Sequence, residues 1–134
     1  MNFSKTASYA LNILSFMATD ENTKMSAKYM HKKLEIPYSY LRQVLISLSK
    51  SGFICSTKGR GGGYVFNKKM EDIYLADIVD ATDGLESFNI CILGFRACPF
   101  NSKCSMHSVW ETTRDSTLKV LKETSLADLA KKRD

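Results

Sequence analysis

The amino-acid sequence predicts a mainly α fold that carries one small β-hairpin and one long helix. Three observations carry this expectation. Ahead of residue 52, three stretches place apolar residues at three-to-four spacing, the period of a helix with one buried face. Two short β-prone runs then flank the glycine cluster "GRGGG" at 59–63. A last, longer helical period runs from about Ser105 to Leu121.

Each element follows from its residues. Residues 4–18 bring Ala7, Leu11, Leu14 and Met17/Ala18 to one side, giving an amphipathic first helix. Ser26 suits the N-cap of a second helix, because its hydroxyl can accept from a free first-turn N–H. Ala27, Met30 and Leu34 form that helix's apolar stripe, with Lys28, Lys32 and Lys33 elsewhere on its surface. "EIP" breaks it, and Pro37, with no N–H to donate, suits the first turn of a third helix. This third helix runs to about Ser51 with Leu41, Val44, Leu45 and Leu48 inward, and Gly52 is its stop. Helix, short turn, helix is the layout of a helix-turn-helix. "FICSTK" and "YVFNK" read as two strands joined by "GRGGG", so a basic hairpin follows the third helix as a wing. A P-loop is excluded, since no Gly-Lys-Ser/Thr follows the glycines and no helix opens there.

Beyond residue 70, "LADIVDATDG" (75–84) reads as a short helix ending at Gly84, and "LESFNI" as a strand or extended piece. The long helix aligns Met106, Val109/Trp110, Thr113, Thr117 and Val120/Leu121. It has little of its own chain to pack on, so pairing with a twin in a homodimer is the expected way to bury that stripe. Ser125 with Asp128 resembles a capping box before a final short helix, "LADLAKKR", which is expected to fray. The expected division is a winged helix-turn-helix over 1–69, a connecting helix and cysteine loop over 70–104, and a dimerisation helix with tail over 105–134.

Composition bounds the function. A chain of 134 residues, 44% hydrophobic, can bury one real core. No apolar run approaches the ~18 residues of a membrane span, and no cleavage site follows the first apolar stretch, so a cytoplasmic location is expected. There, four cysteines are thiols or metal ligands sooner than disulfides. The net charge of +5 is uneven: residues 1–69 carry eleven Lys/Arg against three Asp/Glu, and residues 70–134 eight against eleven. A basic front half suits a polyanionic partner, double-stranded DNA above all, with no membrane role. No nucleotide fingerprint, Cys-x-x-Cys or catalytic dyad is present, so an enzyme is not expected; a small redox enzyme is the remote alternative.

If the third helix enters the major groove, its first turns face the bases. Ser39, Tyr40, Arg42 and Gln43 lie there, off the apolar face. Gln pairs in bidentate fashion with adenine and Arg with guanine. Lys58 and Arg60 on the wing reach phosphate or the minor groove. Lys28, with Lys32, Lys33 and Lys50, is a phosphate candidate that sets affinity rather than sequence.

The stretch "CILGFRACPFNSKCSMH" (91–107) spaces its donors as Cys91-x6-Cys98-x5-Cys104-x2-His107. Structural zinc sites usually draw ligands from C-x2–4-C pairs, which are missing here. Wider spacing suits a polynuclear iron–sulfur cluster, and three cysteines plus a histidine make the four ligands of a two-iron or four-iron cluster. Zinc, or metal-free thiols sensing oxidants, are the alternatives. Gly94 and Pro99 keep the loop from becoming helical, and Arg96 and Lys103 could stabilise thiolates. Cys55, in the first wing strand, reads as a small core residue, and His31 as a surface residue.

With "YAL" near the start, "SYLRQVLISLSKSGF", "KGRGGGY", "LADIVDATDG" and the cysteine loop followed by "HSVW", nearly the whole chain resembles one family. It is that of the IscR/NsrR-type winged-helix, iron–sulfur-dependent transcriptional regulators (the Rrf-two family). The resemblance implies a homodimer reading a palindromic operator, mostly as a repressor, and sensing nitric oxide, redox or iron–sulfur status. It implies DNA contacts at Ser39, Tyr40, Gln43 and Lys58, and cluster ligands at Cys91, Cys98 and Cys104. Arg42 departs from the glutamate of IscR-like members. NsrR-like members can use a carboxylate of the first helix as fourth ligand, but Ser8 stands there; His107 occupies the position of the IscR-like histidine ligand.

Overall fold

In the computed structural model, which describes residues 3–95, 97–101 and 104–131, six α-helices and one antiparallel hairpin follow one another. Helix α1 (Lys5–Met17) starts at Ser4, whose hydroxyl accepts from the Ala7 N–H at 3.1 Å. Ala7, Ala10, Ile13, Leu14 and Met17 are its buried side. Helix α2 (Ala27–Leu34) takes the expected cap, Ser26 accepting from the Tyr29 N–H at 3.1 Å. Helix α3 (Tyr38–Lys50) begins with Pro37 as the N-cap, one residue outside the first turn. Leu41, Val44, Leu45 and Leu48 are all buried on its inner side, each leucine contributing about 1.5–3 kcal/mol by leaving water. Gly52, at φ +86°, ends it in a conformation that glycine adopts without strain.

Strands β1 (Ile54–Thr57) and β2 (Gly63–Phe66) pair with Ile54 opposite Phe66 and Thr57 opposite Gly63. Met25 and Tyr64 exchange two backbone hydrogen bonds, at 3.2 and 2.8 Å, and so tie the wing to the segment ahead of α2. Gly63 makes this approach possible, because a Cβ there would lie 2.8 Å from the Met25 carbonyl oxygen.

Helix α4 (Leu75–Thr82) packs on α1 and on helix α5 (Ser105–Glu123). Between them, "LESFNI" is not a strand but a 3-10 turn, Leu85–Asn89. No strand adjoins it among the described residues; instead Phe88 is buried with Ala76, Val79 and Leu121 and meets Phe3 edge-on at 6.1 Å. The start of α1 is clamped to the end of α4, the Ser4 N–H and hydroxyl both bonding the Asp83 carboxylate.

The end of the chain also differs from expectation. Ser125 and Asp128 form the reciprocal box, at 2.9 and 3.1 Å, and open helix α6 (Leu126–Lys131). The start of this helix is docked: Leu126 is fully buried and Ala127 nearly so, in the same core as Ile13, Leu14 and Ile73. The last residues of the expected helix, Lys132 and Arg133, lie outside the described residues. The stripe expected along α5 divides in two. Trp110 and Leu121 are buried, whereas Met106, Val109 and Val120 stay exposed.

Candidate nucleic-acid interface and cysteine pocket

The turn between α2 and α3 is built from three residues. Glu35 closes α2 at φ +56°, its N–H bonding the His31 carbonyl at 2.9 Å. Ile36 is buried beneath the turn, and its carbonyl accepts a 2.6 Å bond from His31 Nδ1. A carbonyl can only accept, so Nδ1 carries the proton. His31 also meets the Tyr38 ring edge-on at 5.5 Å. The reading of His31 as a plain surface residue is therefore corrected: it is half-buried and pins the turn that sets α3 against α2.

On the outer side of α3, Ser39, Arg42 and Gln43 are exposed. The Arg42 guanidinium lies 6.0 Å from the Tyr38 ring centroid. Tyr40 is placed differently. It is half-buried against α1, its hydroxyl hydrogen-bonded to Thr6 at 2.7 Å and its ring edge-on to Tyr9 at 5.1 Å. Lys28 on α2 is exposed, as are Lys58 and Arg60 at the wing. Among the described residues, no carboxylate pairs with Lys28, Arg42, Lys58 or Arg60. The helix-turn-helix and the wing thus carry cations free to meet an anionic surface.

A second feature lies at the start of α5. Cys91 opens a tight turn, the Gly94 N–H bonding its carbonyl at 2.8 Å, with Gly94 at φ +93°. Cys98 is exposed on the loop. Cys104 is the N-cap of α5, its sulfur 3.5 Å from the Met106 N–H, where the helix N-terminus favours negative charge. His107 stands in the first turn, its Nε2 3.5 Å from Glu111 Oε2. These three cysteines and His107 all line one small pocket that is partly open to solvent. Phe95, Phe100 and Trp110 supply much of its apolar wall. All the cysteines are free thiols, and among the described residues no three His, Cys, Asp or Glu side chains converge closely enough to hold a metal ion. Arg96 and Lys103, the expected thiolate partners, lie outside the described residues. Cys55 is half-buried in β1, opposite Val65. The pocket has one further property that its spacing did not announce. The indole Nε1 of Trp110 is buried without a hydrogen-bond partner among the described residues.

A helix-turn-helix with an unpaired cationic face and a glycine-tipped wing defines a DNA-binding regulator. The chain belongs to the Rrf2 family of iron-dependent transcriptional regulators, which it matches over residues 3–132. It is 32% identical to the HTH-type transcriptional regulator IscR of Photorhabdus laumondii over 94 residues, 70% of this chain and 57% of that protein. It is 31% identical to the protein rrf2 of Nitratidesulfovibrio vulgaris over 105 residues, 78% of this chain and 70% of that one. Among solved structures it resembles CymR, the global cysteine regulator of B. subtilis. The TM-score is 0.82 and the identity 25%, covering 100% of this chain and 99% of that one. The family consists of transcriptional regulators and not of enzymes. No helix among the described residues is long and apolar enough to cross a membrane.

Proposed function

We propose that this chain is a cytoplasmic, homodimeric repressor whose affinity for a palindromic operator is set by an iron–sulfur cluster held at Cys91, Cys98, Cys104 and His107. The observation that carries the reading is the shared pocket: three thiols and one imidazole line a single apolar wall at the start of α5. The donor set fits a cluster in kind, with soft thiolates and four ligands in all. Bound there, the group would supply a centre sensitive to oxidants and nitric oxide.

The chain's own residues do the rest. Ser39, Arg42 and Gln43 read base edges from the exposed side of α3, and Lys28, Lys58 and Arg60 hold phosphates. Tyr40 acts through its position, since Thr6 already engages its hydroxyl. Residues 1–69 form the DNA-binding unit, 70–104 the sensing segment and 105 onward the dimerisation element. Met106, Val109 and Val120 leave an apolar seam on α5 for a second copy. A chain of contacts joins pocket to reading helix: α5 on α4, Asp83 on Ser4, and Thr6 on Tyr40. Regulation requires two states that differ in DNA affinity, and ordering the 91–107 loop would bias one of them.

A second reading is favoured by the exposure of Cys98 and the likeness to a cysteine regulator. In it, the same thiols respond to oxidants without a cluster, or hold zinc. The deciding experiment is an anaerobic absorbance spectrum with iron and acid-labile sulfide assayed on the same sample, for wild type and Cys98→Ala. Charge-transfer bands with matching iron and sulfide, lost in the variant together with regulated operator binding, support the cluster. A protein that stays colourless after anaerobic reconstitution yet still responds to oxidant supports the thiol reading.

A further inference from the structure

Trp110 is the single tryptophan of the chain. It lies one helical turn beyond His107 on α5, at the i+3 position that shares a face with it. Its side chain lines the cysteine pocket and is 6% exposed. Its Nε1–H has lost contact with solvent and meets no acceptor among the described residues. Buried indole N–H groups nearly always have a partner, because an unmet donor forfeits its bond to water and gains nothing in exchange. The wall around it is apolar: Phe95, Phe100, Ile92 and Leu93 offer no side-chain acceptor. The acceptor-bearing side chains of the same pocket are the three cysteine sulfurs and His107, which are the groups assigned to the cluster, and the weakly accepting thioether of Met106.

We infer that Trp110 is a hydrogen-bond donor to the group seated in this pocket, its Nε1–H directed at a cysteine thiolate or cluster sulfur. Trp110 has this role only if the pocket is the seat of the cluster. A donor to sulfur withdraws electron density and stabilises the reduced, more negative state, which raises the reduction potential. Trp110 is therefore a tuning residue, not a ligand: it sets how readily the sensor changes state without deciding whether it loads.

The test compares wild type and Trp110→Phe, both full chains, after anaerobic reconstitution with iron and sulfide. Phenylalanine keeps an aromatic ring in the wall and removes only the N–H donor and one ring's bulk. The expected result is unchanged iron and sulfide per subunit, a reduction potential shifted to more negative values and displaced charge-transfer bands. Equal loading with an unchanged potential overturns the inference and leaves the cluster reading intact. A wild type that takes up no iron and sulfide overturns both. Should Trp110→Phe fail to fold by circular dichroism, the ultraviolet resonance Raman bands of the lone tryptophan decide on wild type. An Nε1–H that is free in the apo-protein and bonded after loading supports the inference. One in the same state before and after loading overturns it.

Discussion

Replacing Gly63 with alanine tests whether the wing is fixed to the body of the protein or merely attached by its strands. The added Cβ would lie 2.8 Å from the Met25 carbonyl oxygen and 2.9 Å from its carbonyl carbon. Both are backbone atoms, so no side-chain rotation relieves the overlap. The β2 backbone must move away, and the hydrogen bonds Met25 N–H to Tyr64 and Tyr64 N–H to Met25, at 3.2 and 2.8 Å, stretch or break. Two backbone bonds at about 1 kcal/mol each, with residual overlap, give a loss of about 2–3 kcal/mol. For a chain of this size that lowers Tm by on the order of 10 °C. The assay is urea and thermal unfolding followed by circular dichroism. Gly59→Ala is the internal comparison: at φ +96° it has open space around its Cβ site and should cost only about 1 kcal/mol of backbone strain. If Gly63→Ala stays within about 0.5 kcal/mol of wild type, or costs no more than Gly59→Ala, the wing is not held by this approach and the reasoning is refuted.

Two further outcomes follow from the core and its ties. Leu126→Ala should lower stability to urea by about 2–5 kcal/mol, since Leu126 is fully buried in the main core; a peripheral, fraying helix would lose far less. Tyr40→Phe should cost about 1 kcal/mol in thermal unfolding through the lost bond to Thr6; a variant as stable as wild type would show that bond to be idle.

The legible part of this fold is the local part. The inward faces of α1, α2 and α3 follow from spacing within each helix, and the Ser26 cap and Ser125–Asp128 box each span three residues. The hairpin was equally readable from its two runs and the glycines between them. Contacts between distant segments were not readable. Nothing around His31 in the sequence shows that the Ile36 carbonyl will turn back onto its ring. The Ser4–Asp83 clamp spans 79 positions. Helix α6 reads as a short, basic tail because its burial depends on a cleft formed by α1 and the segment around Ile73. At the cysteine loop, donor spacing pointed to one locus, and the structure lines one pocket with those donors. Trp110 was missed there: on α5 it reads as one more apolar residue of an intermolecular stripe, and only its orphaned N–H separates it from that role.

The docking of α6 sets an order of events during synthesis. Chains emerge from the ribosome N-terminus first, at about 5–20 residues per second, and segments fold as they become available. Here α3 and the wing are complete by residue 66, but the core beneath them still lacks Leu126 and Ala127. The helix-turn-helix therefore waits for Leu126 and Ala127, far downstream in the chain, before the interior beneath it closes. A fragment that ends before Leu126 exposes the floor beneath its helix-turn-helix, which favours its removal by proteases.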